Sequence, residues 1–247
     1  MNFLANYFGS LNPMSFLSAL PGNIAQGIIW GLMGLGVFLT FKLLNFADLS
    51  VDGSFATGGA VTAVMLSNGC PVWATIIVAI LAGLAAGLVT GLLHTLLGIP
   101  DILAGILTQI ALYSINLNIM GKSNLPISYR NYTLVVSASN INMAILVGLG
   151  ICAVVIAAMY WYFGTEQGST IRSTGSNPAM SKAQGININF TKVIALALSN
   201  GLVALSGSLF AQYQGFADIN MGRGAIVIGL AAVIIGEVLG EAIFRNH

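Results

Sequence analysis

From Val72 to Leu97 the chain carries no Asp, Glu, Lys or Arg. A helix needs about 20 apolar residues to cross a bilayer core, and this run exceeds that. Further apolar runs cover 24–46, 102–120, 143–163, 190–213 and 224–243, and a shorter one, rich in Gly and Thr, covers 52–66. Only 6% of the 247 residues are charged and 57% are hydrophobic. A water-facing domain carries about 25% charged residues. The solvent such a chain expects is lipid, where backbone polar groups must be satisfied inside helices or a closed barrel. The runs lack the period-two alternation of barrel strands. The expected fold is therefore all-α, a polytopic helical membrane protein of about seven transmembrane or re-entrant segments forming one domain over 1–247.

Much is excluded as well. The net charge of +1 gives no nucleic-acid signal. Cys70 and Cys152 lie in or beside apolar runs, so no disulfide framework is expected. His94 and His247 form no cluster with metal-ligand spacing, and there is no Walker lysine loop and no Ser/His/Asp nucleophile pattern. No metal, no cofactor and no enzymatic activity are expected, and any ATPase would be another chain. No charged side chain precedes Lys42, so the basic region of a signal peptide is missing and the first apolar segment reads as a retained anchor. Residues 1–22 read as an interfacial segment ending in a break at Pro21-Gly22. Tyr160, Trp161 and Tyr162 read as an aromatic belt at a span's end. The stretch 165–192 holds Arg172, Lys182 and Lys192, against Lys122 and Arg130 in 121–142, which favours the former as cytoplasmic. Five crossings then put the N-terminus outside, a parity that reverses if 52–66 does not cross.

Several residues stand out within this frame. Gly83, Gly87 and Gly91 strip one helix face of side chains and predict close helix packing, and Gly27 with Gly31 and Gly236 with Gly240 repeat the spacing. Asp48 and Asp52 sit near membrane depth, where carboxylates mark pathways or else cap helices; Asp52 and Ser54 are good N-cap types, and Asp101 is expected to cap its helix. Glu237 lies within the last run and faces either the protein interior or a water-filled route, or pairs with Arg245 or another partner. Asn116, Asn118, Asn200 and Ser206 are polar in apolar helices, as route-lining groups or as interhelical hydrogen bonders. Between the spans, Asn177 is an N-cap type, Pro178 suits the first helical position and Gly185 suits the stop. The code is that of a two-turn helix, too short to be stable alone. It packs under its own bundle or presents a face to a partner.

That loop, Arg172-x-x-Gly175-x-Asn177-x-x-x-Ser181-x-x-x-Gly185-Ile186-Asn187, resembles the permease subunits of bacterial ATP-binding cassette importers of the branched-chain amino acid and ribose type. The acidic junction Asp48-Leu49-Ser50-Val51-Asp52-Gly53 is similar to that of the same family. Stretches 44–55, 92–108, 113–124 and 224–238 resemble its amino-acid branch, associated in some members with tryptophan or tyrosine. The resemblance implies a membrane-spanning subunit in the bacterial cell membrane that forms the route for a small solute, an amino acid first. It implies an ATPase dimer, a second permease copy and an extracytoplasmic solute-binding lipoprotein as partners. The helix from Pro178 to Gln184 would be the coupling helix, with Arg172, Gly175, Asn177, Pro178, Met180, Lys182 and Gly185 as coupling residues and Arg172 and Lys182 pairing with acidic groups on the ATPase. Asp48, Asp52, Asn116, Asn200 and Glu237 are the candidates for the route. Family members usually continue past Gly236-Glu237 with one or two further spans, a point at which this sequence departs from the resemblance. The competing reading is an ion-coupled secondary transporter using Asp48, Asp52 and Glu237, which would need no capped cytoplasmic helix; a polytopic scaffold without transport is the third.

Overall fold

The computed structural model describes residues 13–127 and 134–244. Nine helices are described, α1 (Pro13–Val37, continuing as a π-helical turn Phe38–Leu43), α2 (Val51–Ser67), α3 (Val72–Leu97), α4 (Asp101–Met120), α5 (Ile141–Phe163), α6 (Glu166–Ser176), α7 (Pro178–Ala183), α8 (Ile188–Gln214) and α9 (Ala225–Phe244). Two short strands, β1 (Asn124–Pro126) and β2 (Phe216–Asp218), pair antiparallel. Six helices are long and apolar enough to cross a membrane. The seventh predicted segment, α2, has 17 residues.

The bundle is organised around α8. Between Ala195 and Tyr213 nearly every residue is buried, so this helix is walled by protein on all sides. The glycine stripe of α3 makes that possible. A methyl group added at Gly83, Gly87 or Gly91 would lie 2.3 Å from Asn200 O, 2.2 Å from Leu196 O and 2.8 Å from Val193 Cα respectively. The order of these contacts shows that α3 and α8 run antiparallel. At the far end of that seam Lys192 Nζ donates to His94 Nε2 at 2.9 Å. An ammonium only donates, so His94 carries its proton on Nδ1, which donates to the Ile99 carbonyl at 2.9 Å. Elsewhere in the core, Trp30 of α1 stacks on Phe55 of α2 at 5.2 Å and meets Phe210 of α8 edge-on at 5.5 Å. Gly27, Gly31, Gly236 and Gly240, expected to pack in the same way, have no atoms within 4 Å of an added methyl group. Gly31 and Gly236 instead line an open groove between α1 and α9.

Following the contacts, α1 descends from Gly22, beside Tyr213, to Leu43, beside Gly175. Successive legs then alternate, and the N-terminal end of α1 and the 165–187 loop lie at opposite ends of the bundle. The predicted break at Pro21-Gly22 is absent: helix α1 runs through Pro21. Proline there forfeits one backbone bond near the start of a long helix, a loss that neighbouring helices can absorb. Tyr213 donates to the Gly22 carbonyl at 3.0 Å just beyond it. Residues 1–12 of the expected interfacial segment lie outside the described residues. Tyr160 and Trp161 point away from the bundle at the end of α5, 85% and 74% exposed. Cys70 and Cys152 are both free.

Candidate functional site

Helix α2 begins halfway through the bundle. Ser54, in its first turn, donates to Asn200 Oδ1 at 2.6 Å, with Ser50 Oγ 3.2 Å from the same oxygen, and Asn200 is near the midpoint of α8. Farther on, Gly58 packs on Ala204 and Thr62 donates to Ser208 at 2.7 Å, so the two helices run parallel from there. Residues 44–50 carry the chain back from the foot of α1 to this mid-depth start, with Asn45 in the left-handed region at φ 54°. Asp48, 2% exposed, fastens the return. Its Oδ1 accepts from Ser50 N and Ser50 Oγ at 2.9 and 2.5 Å, and its Oδ2 accepts from Asn200 Nδ2 at 2.7 Å. A buried carboxylate held by three donors is a structural lock. Both Asp48 and Asn200, expected as route-lining residues, are spent on it.

The second acidic residue works differently. Asp52 does not cap its own helix as its type suggested; the N-cap position is Ser50, and no side chain bonds there. The Asp52 carboxylate reaches the start of α9, accepting from Gly224 N at 3.0 Å and Ile226 N at 2.9 Å. After α8 ends, residues 219–224 dip back toward mid-depth, and Gly222 lies against the Asp52 carbonyl, 2.0 Å from where a methyl group would stand. Two helix N-termini, those of α2 and α9, therefore meet inside the bundle at one carboxylate. Such ends carry partial positive charge, which the Asp52 carboxylate meets at α9, and discontinuous helices of this kind mark binding sites in transporters.

Beside the junction lies a cavity of about 320 Å³ lined by Asp52, Gly53, Ala56, Gln109, Ile110, Tyr113, Asn116, Ile219 and Arg223. That volume is at the lower end for small-molecule sites. Gly53 draws α4 in, since an added methyl group would meet Gln109 Cα and Leu112 Cβ at 3.2 Å each. Gln109, Tyr113 and Asn116 follow at intervals of four and three, one polar stripe on an apolar helix. Asn116 is 1% exposed, and neither its Nδ2 nor its Oδ1 has a partner. Asp52 and Arg223 put opposite charges on the cavity without forming a salt bridge to each other; among the described residues the salt bridge is Lys42 with Glu237. A lining with one anion, one cation and two amides complements a small zwitterion.

The structure thus brings together two of the five route candidates, Asp52 and Asn116. Asn118, two positions past Asn116, is turned about 200° away and exposed. Ser206 donates to the Ile29 carbonyl at 2.7 Å, an interhelical bond. Glu237 pairs with Lys42 across the α1–α9 groove; Arg245, the partner named from sequence beside an unspecified other, lies outside the described residues. Gln109, Tyr113 and Arg223 were not anticipated. The 109/113/116 spacing was the signal for the first two; Arg223, between Gly222 and Gly224 in a turn, belongs to no periodic pattern.

At the loop end, α7 follows its predicted code. Asn177 Oδ1 accepts from Met180 N at 3.0 Å, Pro178 takes the first helical position and Gly185 has φ 84°. Apart from Ser181, the α7 side chains are exposed, Met180 by 58%. The helix before it, α6, occupies part of the polar 165–190 loop, for which the sequence predicts only the helix from Pro178. Thr165 and Glu166 start it, and Ile171 anchors it at 1% exposure. Arg172 is exposed, and it reaches back along the surface to donate to the Phe163 carbonyl at 2.8 Å, which satisfies an orphan group at the end of α5. Gly175 lies flat against Leu43, with 1.9 Å to its carbonyl oxygen from an added methyl group. These two residues hold the loop to its own bundle, and Met180 and Lys182 form its outward surface. Asp101, expected as a cap, sits in the first turn of α4 and makes no capping bond. Among the described residues no group of His, Cys, Asp and Glu forms a metal site.

The family model described as "Branched-chain amino acid transport system / permease component" matches residues 22–243. The chain is 45% identical over 224 residues to a tyrosine transport system permease protein of Clostridioides difficile (strain R20291), covering 90% of this chain and 74% of that protein. It is 26% identical over 234 residues to a D-allose transport system permease protein of Escherichia coli (strain K12), covering 93% and 71%. A ribose import permease protein of Haemophilus influenzae is 28% identical over 207 residues, covering 82% and 64%. No solved structure matches the chain.

Proposed function

This chain belongs to the permease-component family of branched-chain amino acid transport systems, and on that premise we propose that it passes an amino acid through the cavity where α2 and α9 begin. As a permease subunit of an ATP-binding cassette importer it is a multi-pass protein of the bacterial inner membrane, and ATP hydrolysis and solute capture belong to partner subunits. The observation that carries the proposal is the pair Asp52 and Arg223, opposite charges on one cavity that do not neutralise each other. An amino acid's ammonium suits the carboxylate. Its carboxylate suits the guanidinium. The relative named for tyrosine transport supports an aromatic amino acid as the solute.

On the same reading the 165–190 loop is the cytoplasmic coupling element, with Met180 and Lys182 toward the ATPase and Arg172, Gly175, Asn177, Pro178 and Gly185 shaping it. The N-terminal end of α1 is then outside. Two copies of the permease flank the route. Uptake by the importer reconstituted in proteoliposomes with its ATPase and solute-binding protein tests the cavity. Asp52→Asn and Arg223→Ala are each expected to cut ATP-driven uptake of L-tyrosine at least about tenfold, the worth of one charge-assisted hydrogen bond, while both variants still co-purify with the ATPase. Uptake at the wild-type rate in both variants would sink the proposal.

A further inference from the structure

We propose that Asn116 is a specificity-determining residue that reads a hydroxyl group on the side chain of the transported amino acid, an inference that rests on the cavity reading above. Buried polar groups in folded proteins are almost always paired. Asn116 is 1% exposed, lines the cavity, and leaves both Nδ2 and Oδ1 without a protein partner. Its neighbours along the α4 stripe, Gln109 and Tyr113, line the same cavity and neither bonds to it. The missing partner is one that enters the cavity.

Its chemistry follows from the amide. A free N–H donor beside a free carbonyl acceptor is fully satisfied by a group that both accepts and donates. A hydroxyl does this from a single atom. A carboxylate or carbonyl would serve Nδ2 alone, and a hydrocarbon side chain would serve neither. Position fits the same answer. Gln109 packs at the level of Gly53, next to Asp52, and Asn116 is seven residues along the helix, about 10 Å farther. A solute held by its charged groups at Asp52 and Arg223 extends its side chain along the α4 stripe, past the Tyr113 ring, toward Asn116. An aromatic amino acid with a terminal hydroxyl spans that stripe. Sites built to bond a hydroxyl reject the analogue lacking it far more strongly than apolar pockets resolve a methylene.

Equilibrium binding of L-tyrosine and L-phenylalanine to the purified permease–ATPase complex, without solute-binding protein, tests this directly. Wild type is expected to bind tyrosine at least about tenfold more tightly than phenylalanine. Asn116→Leu should bring tyrosine down to the phenylalanine level and leave phenylalanine unchanged. Its Tm should not fall, since no protein hydrogen bond is removed. Asn116→Ser, which keeps a donor and an acceptor in less volume, should retain part of the preference. Equal binding of the two amino acids by wild type, an unchanged ratio in Asn116→Leu, or a proportional loss of both ligands with a lowered Tm would each overturn the assignment. Asp52→Asn separates the underlying premise, because it should weaken both ligands alike. If neither ligand binds wild type, or Asp52→Asn changes neither, the cavity reading falls and this inference with it.

Discussion

Two aspartates four positions apart illustrate how little residue type fixes about role. Asp48 is bound up with Ser50 and Asn200, and Asp52 joins the starts of two helices and lines a cavity. Asn200→Ala should leave Asp48 Oδ2 unpaired in the interior at a cost of about 1.5–3 kcal/mol. Thermal unfolding of the detergent-solubilised protein reads that as a lowered Tm; a Tm equal to wild type would show that the lock contributes nothing. Asp52, Asn116 and Asn200 were visible as candidates because each is polar in an apolar surrounding. Their partners were not, since Asn200 meets Asp48 across 152 positions of sequence. Gln109 and Tyr113 hid for another reason: each is unremarked alone, and only their spacing to Asn116 marks a face.

Helix ends were legible wherever the sequence carries a stop or start signal. Pro71 and Gly98 flank α3, and the predicted 72–97 run matches the helix at both ends. Asn177 and Pro178 did the same for α7. Where a helix is polar, as in α6, apolar periodicity has nothing to report, and the sequence predicts no helix there. The mid-depth start of α2 was foreshadowed by a run too short to span, but which residues would meet it was a tertiary fact. The α3 glycine stripe lies against α8, and it makes a graded test. Gly87→Ala must push a methyl group into Leu196 O and should cost about 1–3 kcal/mol by overpacking. Gly27→Ala, with open space around it, should leave Tm unchanged or slightly raised. Equal effects of the two substitutions would contradict this account of the α3–α8 seam.

Across the whole molecule, one stretch of backbone, residues 43–52, touches both the 165–187 loop and the cavity. Gly175 of α6 packs on Leu43, and residues 44–50 lead from there to the Asp48 lock and to Asp52. The loop and the cavity are thus linked through a short connector pinned at both ends. Met180→Asp with Lys182→Glu, on the exposed face of α7, should abolish co-purification with the ATPase while Tm stays within a degree or two, because neither side chain supports the bundle; retention of the ATPase would remove α7 from the coupling role. The class of fold and the family were legible from composition and motifs, whereas the cavity is assembled from α2, α4 and the 219–224 turn, which no local pattern connects. Binding of three ligands to the permease–ATPase complex decides whether that cavity reads a zwitterion. L-Tyrosine should bind, and tyramine, which lacks the carboxylate, and 3-(4-hydroxyphenyl)propionate, which lacks the amine, should each bind at least about tenfold more weakly, the loss expected for one charge-assisted contact. Equal affinity for all three would mean that Asp52 and Arg223 do not recognise the solute's charges.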